Sequence, residues 1–187
     1  MIIPTYFGGT WNGLAIVSKT RTITGATANF TVPRALNKTG EVAYWLGVGG
    51  SSRRPMDLCQ AGINVGGNNQ DGLIAEDYPS PPLGGPTVKP GDAITVSIYP
   101  YAHWYRVTVK DINNGHSLTT GCRVPWHGGW RHAEFIGEES ANPLKTTLVW
   151  AAWHTNGART PHWIHWLGMT SGASIRWMTK TLVAIKD

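Results

Sequence analysis

The sequence predicts an all-β fold, a two-sheet antiparallel β-sandwich of the jelly-roll, concanavalin A-like type, on three observations. Helix formers are few while Gly (23), Trp (10), Thr, Val and Ile abound, a composition suited to twisted strands joined by tight turns. Short segments alternate apolar and polar residues, and the stretches between them, "GGNNQDG", "PSPPLGGP", "KPGD", "NNG" and "TNG", hold the Gly and Asn that supply positive φ and the Pro that ends pairing. No segment shows the period of an amphipathic helix, so the apolar faces of the strands must bury against one another.

Ten segments read as strands: "NGLAIVS", "TITGATANFTV", "EVAYWLGV", "DLCQAGINV", "DGLIAEDY", "DAITVSIYP", "HWYRVTVKDI", "RHAEFIGEE", "KTTLVWAAW" and "SIRWMTKTLVAI". With no long linker, low-complexity tract or repeat between them, the 187 residues are expected to form one domain, 1–187, large enough for a real core. No run approaches the ~18 apolar residues of a membrane span, so no membrane partner is expected. The opening "MIIPTYFGGTWNG" has neither a charged n-region nor an apolar h-region, so no signal peptide is visible. Sixteen Lys and Arg against eleven Asp and Glu give a net charge of +5, but only Arg53-Arg54 forms a basic pair and no aromatic-basic motif frames it. No nucleic-acid partner is expected. Cys59 and Cys122 fit no C-x-x-C spacing, which leaves one disulfide or two buried thiols.

Three polar residues interrupt strand-like apolar segments. In "DLCQAGIN" the period of two puts Leu58, Gln60, Gly62 and Asn64 on one face and Cys59, Ala61 and Ile63 on the other. A neutral amide in mid-strand has two donors and an acceptor to satisfy, so it faces water or has a task. In "RHAEFIGEES", Glu134 shares a face with Ile136 and Glu138; in "GLIAEDYP", Glu76 shares a face with Ile74 and Tyr78. Three such groups on three strands of one sandwich can line one face.

In this order, "TWNGLAI", "ANFTVP", "YWLGVGG", "LCQAGI", "AEDYPS", "VKPGDAITVSI" and "RHAEFIGEE" resemble the motifs of the glutamic peptidases known as eqolisins, from about Trp11 to about Glu139. The resemblance implies a secreted, acid-acting endopeptidase with a polypeptide substrate, no metal or cofactor, and a monomeric chain. It places Gln60 and Glu134 where the family keeps its catalytic pair, Glu134 as general base and then acid, Gln60 as the donor to the oxyanion. Trp11, Gly13 and Trp45 match family positions that wall the substrate cleft, and Glu76, with Tyr78 beyond it, matches the margin of the site. Four positions depart from the pattern. Gly49 and Asn64 stand where the family keeps Asp, and Ile74 and Asp77 where it keeps Trp, which bears on substrate preference and pH optimum.

Two readings of another class compete: a carbohydrate-binding module, because Trp-rich sandwiches often offer aromatic platforms to sugars, and a glycoside hydrolase using Glu76 with Glu134 as its carboxylate pair. His154, His162 and His165 in "WHTNGARTPHWIHW" suggest metal ligands, but in a strand His162 and His165 face opposite ways, so cleft-rim or surface aromatics are expected instead. Sixteen Lys and Arg joined by seven His in acid face only eleven carboxylates, so self-repulsion is expected to weaken the fold at strongly acid pH. The resemblance implies activity in acid, and Gly49 and Asn64 remove carboxylates that would raise the Glu134 pKa by like-charge repulsion, so an optimum at roughly pH 4–6 is expected, set on its acid side partly by unfolding.

Overall fold

The computed structural model describes residues 2–7, 11–18, 23–33, 41–49, 58–66, 71–123, 132–139, 149–155, 158–165 and 176–178, with side-chain surroundings confined to parts of the stretch from Ile23 to Glu138. Among the described residues there are fourteen strands and no helix. They are β1 (Ile2–Phe7), β2 (Trp11–Ser18), β3 (Ile23–Thr31), β4 (Glu41–Gly49), β5 (Leu58–Gly66), β6 (Gly72–Tyr78) and β7 (Leu83–Thr87), followed by β8 (Ala93–Tyr101), β9 (Trp104–Asp111), β10 (Ser117–Arg123), β11 (His132–Glu139), β12 (Val149–Thr155), β13 (Ala158–His165) and β14 (Arg176–Met178).

They form two seven-stranded antiparallel sheets, β1-β2-β11-β4-β5-β6-β7 and β10-β9-β8-β3-β12-β13-β14. The sheets stack face to face, with β11 and β4 over β3, β5 over β8 and β9, and β6 over β9 and β10. The predicted antiparallel sandwich is the observed fold.

Alternation decides what lies between the sheets. Val42, Tyr44, Leu46 and Val48 of β4, Cys59, Ala61, Ile63 and Val65 of β5, and Ala133 and Phe135 of β11 pack against Ala26, Ala28 and Phe30 of β3, Ile94, Val96 and Ile98 of β8, and Val107 and Val109 of β9. Phe30 and Phe135 meet edge to face across the layer, their centroids 5.3 Å apart. The second sheet keeps a clean inward-apolar, outward-polar rhythm along β8, β9 and β10. By contrast, β4 and β5 are buried on both faces over most of their length. A smaller cluster of Trp45, Leu58 and Ile136, joined by Ala43, occupies the face of β4, β5 and β11 that looks away from the core.

Four strands, β1, β7, β10 and β13, were not expected from the alternation. β1 and β7 carry Pro4 and Pro86, and they are the two edges of the first sheet, where a missing N–H costs no ladder bond. The "PSPPLGGP" stretch is therefore not all punctuation. In β13, Pro161 pairs with Ala152 of β12 and lies outside the described β14 pairing, which involves Trp163, Ile164 and His165. β10, "SLTTGCR", is an edge strand whose inward positions, Leu118, Thr120 and Cys122, are too polar on average to announce themselves. It returns from β9 through a turn in which Asp111 Oδ1 accepts the backbone N–H groups of Asn113 and Asn114, and Gly115 takes φ +73°. The "KPGD" turn behaves as expected: Asp92 N–H donates to the Lys89 carbonyl, with Gly91 at φ +94°.

Cys59 and Cys122 form a disulfide with Cα atoms 5.9 Å apart, joining β5 of one sheet to β10 of the other. It closes 63 residues of chain, so its loss should cost about 2–4 kcal/mol through the entropy of the unfolded state. The paired substitution Cys59→Ser with Cys122→Ser should lower the unfolding free energy by that amount, read by equilibrium denaturant unfolding; an unchanged unfolding free energy would contradict it. Gly62 offers a sharper test. A Cβ there would stand 1.8 Å from the Tyr44 carbonyl oxygen and 2.7 Å from Trp45 Cα, both backbone atoms of the neighbouring strand. Gly62→Ala should destabilise the fold by about 3 kcal/mol or more in the same measurement, since β4 and β5 would have to separate.

Candidate active site

The antiparallel register draws one line across the first sheet. Ala15 of β2 pairs with Glu134 of β11, Glu134 with Gly47 of β4, Gly47 with Gln60 of β5, and Gln60 with Glu76 of β6. Directly paired residues share a face, so Glu134, Gly47, Gln60 and Glu76 all look away from the core. The three polar groups singled out in the sequence are thus neighbours in one row. Two strand spacings separate Glu134 from Gln60, roughly 9.6 Å between Cα atoms. The strand between them contributes only Gly47, which itself puts no side chain between the two.

Trp45 and Leu58 bound that gap. A Cβ built on Gly47 would come within 2.9 Å of both Leu58 Cδ1 and Trp45 Cζ3, so the two side chains lean over the glycine from either side. Trp45 is fully buried and its Nε1–H donates to Glu138 Oε2 at 3.1 Å. Ile136 lies one step along the face, opposite Trp45 on one side and Gly13 of β2 on the other. Trp11 pairs with Glu138 and so occupies the same face two residues further on; its side chain, like that of Gly13's whole strand, lies outside the described surroundings.

Glu134 is fully buried, and neither carboxyl oxygen has a hydrogen-bond partner among the described residues. Burial alone pushes its carboxyl up from 4.5 to about 8, because a charge removed from water without a donor is costly. Gln60 is 7 % exposed and its Nε2 donates to Glu76 Oε2, while its buried Oε1 has no hydrogen-bond partner among the described residues. Burial also raises the Glu76 carboxyl; the Gln60 bond opposes the rise and the charge of Glu138 adds to it. His132, next along β11, is half-buried and lowered by the same loss of water. Tyr78, opposite Leu58 at the end of β6, is 41 % exposed and stands at the margin of this face.

The four departures from the family pattern fall differently. Asn64 Nδ2 donates to Glu41 Oε1, and Gly49 takes φ +105°, a backbone that favours glycine over aspartate. Ile74 is on the face of the row, opposite Gly62. Asp77 is not: it pairs with Cys59, on the core side, and its Oδ2 accepts the Arg123 N–H. Its exchange for tryptophan therefore leaves the lining of the row untouched, contrary to what the sequence suggested. Gly47 was not expected at the site, since only the pairing register sets it between Glu134 and Gln60; Leu58 shares the Gln60 face by period two alone. Glu138 was within reach, lying four residues from Glu134 on the same strand face.

His154, His162 and His165 lie on β12 and β13, in the second sheet, and their side chains are outside the described surroundings. Among the described residues no group of three or more His, Cys, Asp and Glu could hold a metal ion, and no helix is long and apolar enough to cross a membrane.

Comparison with known proteins bears on the fold and the family. No curated protein sequence matches the chain. Among solved structures it is similar to scytalido-glutamic peptidase bound to a peptide-based transition state analog, at 18 % identity and a TM-score of 0.62 over 81 % of this chain and 82 % of that one. The same peptidase with a transition state analog inhibitor gives 17 % identity and a TM-score of 0.63 over the same shares. SCP-B, a member of the eqolisin family in complex with the tripeptide Ala-Ile-His, gives 16 % and 0.60, again over 81 % and 82 %. At such identities the likeness is one of fold. The sequence model of the Peptidase A4 family matches residues 9–159, past Glu139 where the motifs fade, and this sets aside the carbohydrate-binding and glycosidase readings. Matched over most of its length, the chain belongs to the Peptidase A4 family, the eqolisins, and is a glutamic-type peptidase.

Proposed function

We propose that the chain is an endopeptidase in which Glu134 activates water and Gln60 stabilises the oxyanion. The observation that carries this reading is the buried Glu134 carboxyl, without a hydrogen-bond partner among the described residues, set in one register row with the Gln60 amide and only Gly47 paired between them. Ionised Glu134 takes a proton from a water held in the gap. The hydroxide adds to the substrate carbonyl, whose oxygen gains the negative charge. Gln60 donates one N–H to Glu76, which fixes the amide and leaves its second N–H for the oxyanion and its unpaired Oε1 to accept from the attacking water. Glu134 then gives its proton to the amide nitrogen, the C–N bond breaks, and the carboxyl and amine products leave with Glu134 ionised again. Trp11, Gly13, Trp45 and Tyr78 flank the extended substrate; Trp45, fully buried, does so by setting the wall of the gap rather than by offering a ring face. An extracellular site of action suits the Cys59–Cys122 bridge, since disulfides persist in oxidising compartments.

The burial of Glu134 changes the pH expected from charge counting. The base must be ionised, and burial opposes this, while a bound water and substrate return hydrogen bonds that lower its pKa again. The acid limb of kcat, which reports the substrate complex, should therefore lie above the ordinary glutamate value of ~4.3 and below about 8, placing the optimum at the upper end of, or just above, roughly pH 4–6. Peak activity at pH 2 would overturn the assignment of Glu134 as a buried base.

Glu134→Gln should abolish proteolysis and also stabilise the fold, with a definite pH signature. The folded carboxyl binds its proton more tightly than the unfolded one. Wild-type stability from this group is thus fully present below about pH 4.5 and lost as pH rises toward about 8. The variant cannot ionise, so its unfolding free energy should equal the wild type's at pH 4 and exceed it at pH 8 by an amount on the order of 4 kcal/mol, seen also as a higher melting temperature at pH 8 only. A constant difference across that range would show that Glu134 does not ionise in a buried site.

Gln60→Ala should lower kcat at least ~100-fold, the cost of one oxyanion donor. Gly47→Ala places a methyl group in the gap against side-chain atoms only, so the fold should survive while kcat/KM falls at least ~10-fold; unimpaired cleavage would mean the gap is not where the water sits.

A further inference from the structure

The second sheet carries a surface that peptide hydrolysis does not use. The outward positions of β8, β9 and β10 bring together Tyr101, Trp104, Arg106 and Arg123: Tyr101 pairs with Trp104, Trp104 with Arg123, and Arg106 is two residues along β9 on the same face. The Arg106 guanidinium lies 4.0 Å from the Tyr101 ring centroid and that of Arg123 4.8 Å from Trp104. Each aromatic ring thus holds a cation in a fixed place, with its N–H fork available to an acceptor. Tyr101 is nevertheless 58 % exposed and Trp104 41 %. Beside them is a hollow of about 300 Å³ whose floor includes Thr119 and Gly121, and Gly121 is where the Trp104 ring passes, 3.7 Å from a would-be Cβ.

The charge of this face is one-sided. Across β8, β9 and β10 the cations are Arg106, Lys110 and Arg123, and the single carboxylate, Asp111, is fully buried on the core side. The remaining outward positions of these strands are largely hydroxyls, Thr95, Ser97, Thr108, Ser117 and Thr119. A carboxylate does stand at the rim, Asp77, which accepts the backbone N–H of Arg123.

We propose that this face binds an acidic polysaccharide, a polymer of carboxylated sugars. Flat exposed rings suit the apolar faces of pyranose units, fixed guanidinium forks suit their carboxylates bidentately, and threonine hydroxyls suit their hydroxyl groups. An acidic polypeptide would be met by the cations but has no use for the rings and hydroxyls, which is why the sugar polymer is favoured. Since the face belongs to the sheet opposite Glu134 and Gln60, it would hold the peptidase on a matrix without occupying its cleft. The proposal does not rest on the catalytic assignment.

Affinity electrophoresis through polygalacturonate, dextran or poly-glutamate gels, with the full chain, tests it. Retardation by polygalacturonate but not by dextran or poly-glutamate is expected. Trp104→Ala and the pair Arg106→Ala with Arg123→Ala should each reduce that retardation at least fivefold, whereas Glu134→Gln should leave it intact. The Trp104 and Arg variants should keep wild-type cleavage of a short soluble peptide, which also certifies that they fold. Equal retardation by poly-glutamate would overturn the sugar assignment in favour of a plain anion surface, and tighter binding of a single-stranded oligonucleotide in the same gels would overturn it in favour of nucleic acid. No retardation, or retardation unaffected by the substitutions, would overturn the site altogether.

Discussion

Slide β5 by one residue against β4 and Gln60 turns into the sandwich while Cys59 turns out of it. The same slip would take Ala61 and Ile63 from the core and set Gly62 and Asn64 in their place. Packing therefore fixes the register, through the apolar residues on the inner face, and the register fixes the row of Glu134, Gly47, Gln60 and Glu76 on the outer one. Neither chemistry nor core could be changed without the other. The close approach of Gly62 to the Tyr44 carbonyl and the disulfide from Cys59 to Cys122 both hold β5 in place, the first against β4 within the sheet and the second against β10 of the sheet behind it.

The cost of this arrangement falls on Glu134. An unpartnered carboxyl in a dry place prefers to keep its proton, and the fold is less stable once it is made to give the proton up. A structural residue at that position would be apolar or would be supplied with donors, as Asp111 is by the backbone N–H groups and side-chain amide of its turn. Gln60 is treated in the opposite way: its amide is anchored on one side by Glu76 and left open on the other. One group is thus free to exchange a proton and the other is held still, which is the division of labour that adding water to an amide bond requires.

The two sheets spend their outer faces differently. β4 and β5 are covered on both sides, which gives the row its low polarity and lets a carboxyl be shifted by several units. β8, β9 and β10 are covered on one side only, and their outward residues are cations, hydroxyls and stacked rings that remain in water. A sandwich can hold a dry reactive face and a wet adhesive face at once because each strand addresses its two sides independently.

Period-two alternation is a local property, and it determined the class of fold, the core face of each central strand, and the shared faces of Glu134 with Glu138 and of Gln60 with Asn64. The ordered motifs added the family. Edge strands such as β1, β7 and β10 were hidden because an edge tolerates Pro, Gly and polar residues, so their composition looks like that of a loop. Register between strands distant in sequence was decided only by tertiary structure: nothing local to Gly47 says that it separates residues 60 and 134, and nothing local to Asp77 says that it faces Arg123 instead of the row. The state of Glu134 was decided there as well. The replacement of family carboxylates by Gly49 and Asn64 suggested a carboxyl governed by charged neighbours, whereas burial raises its pKa, a property of what three-dimensional packing brings around a residue and not of the residues beside it in the chain.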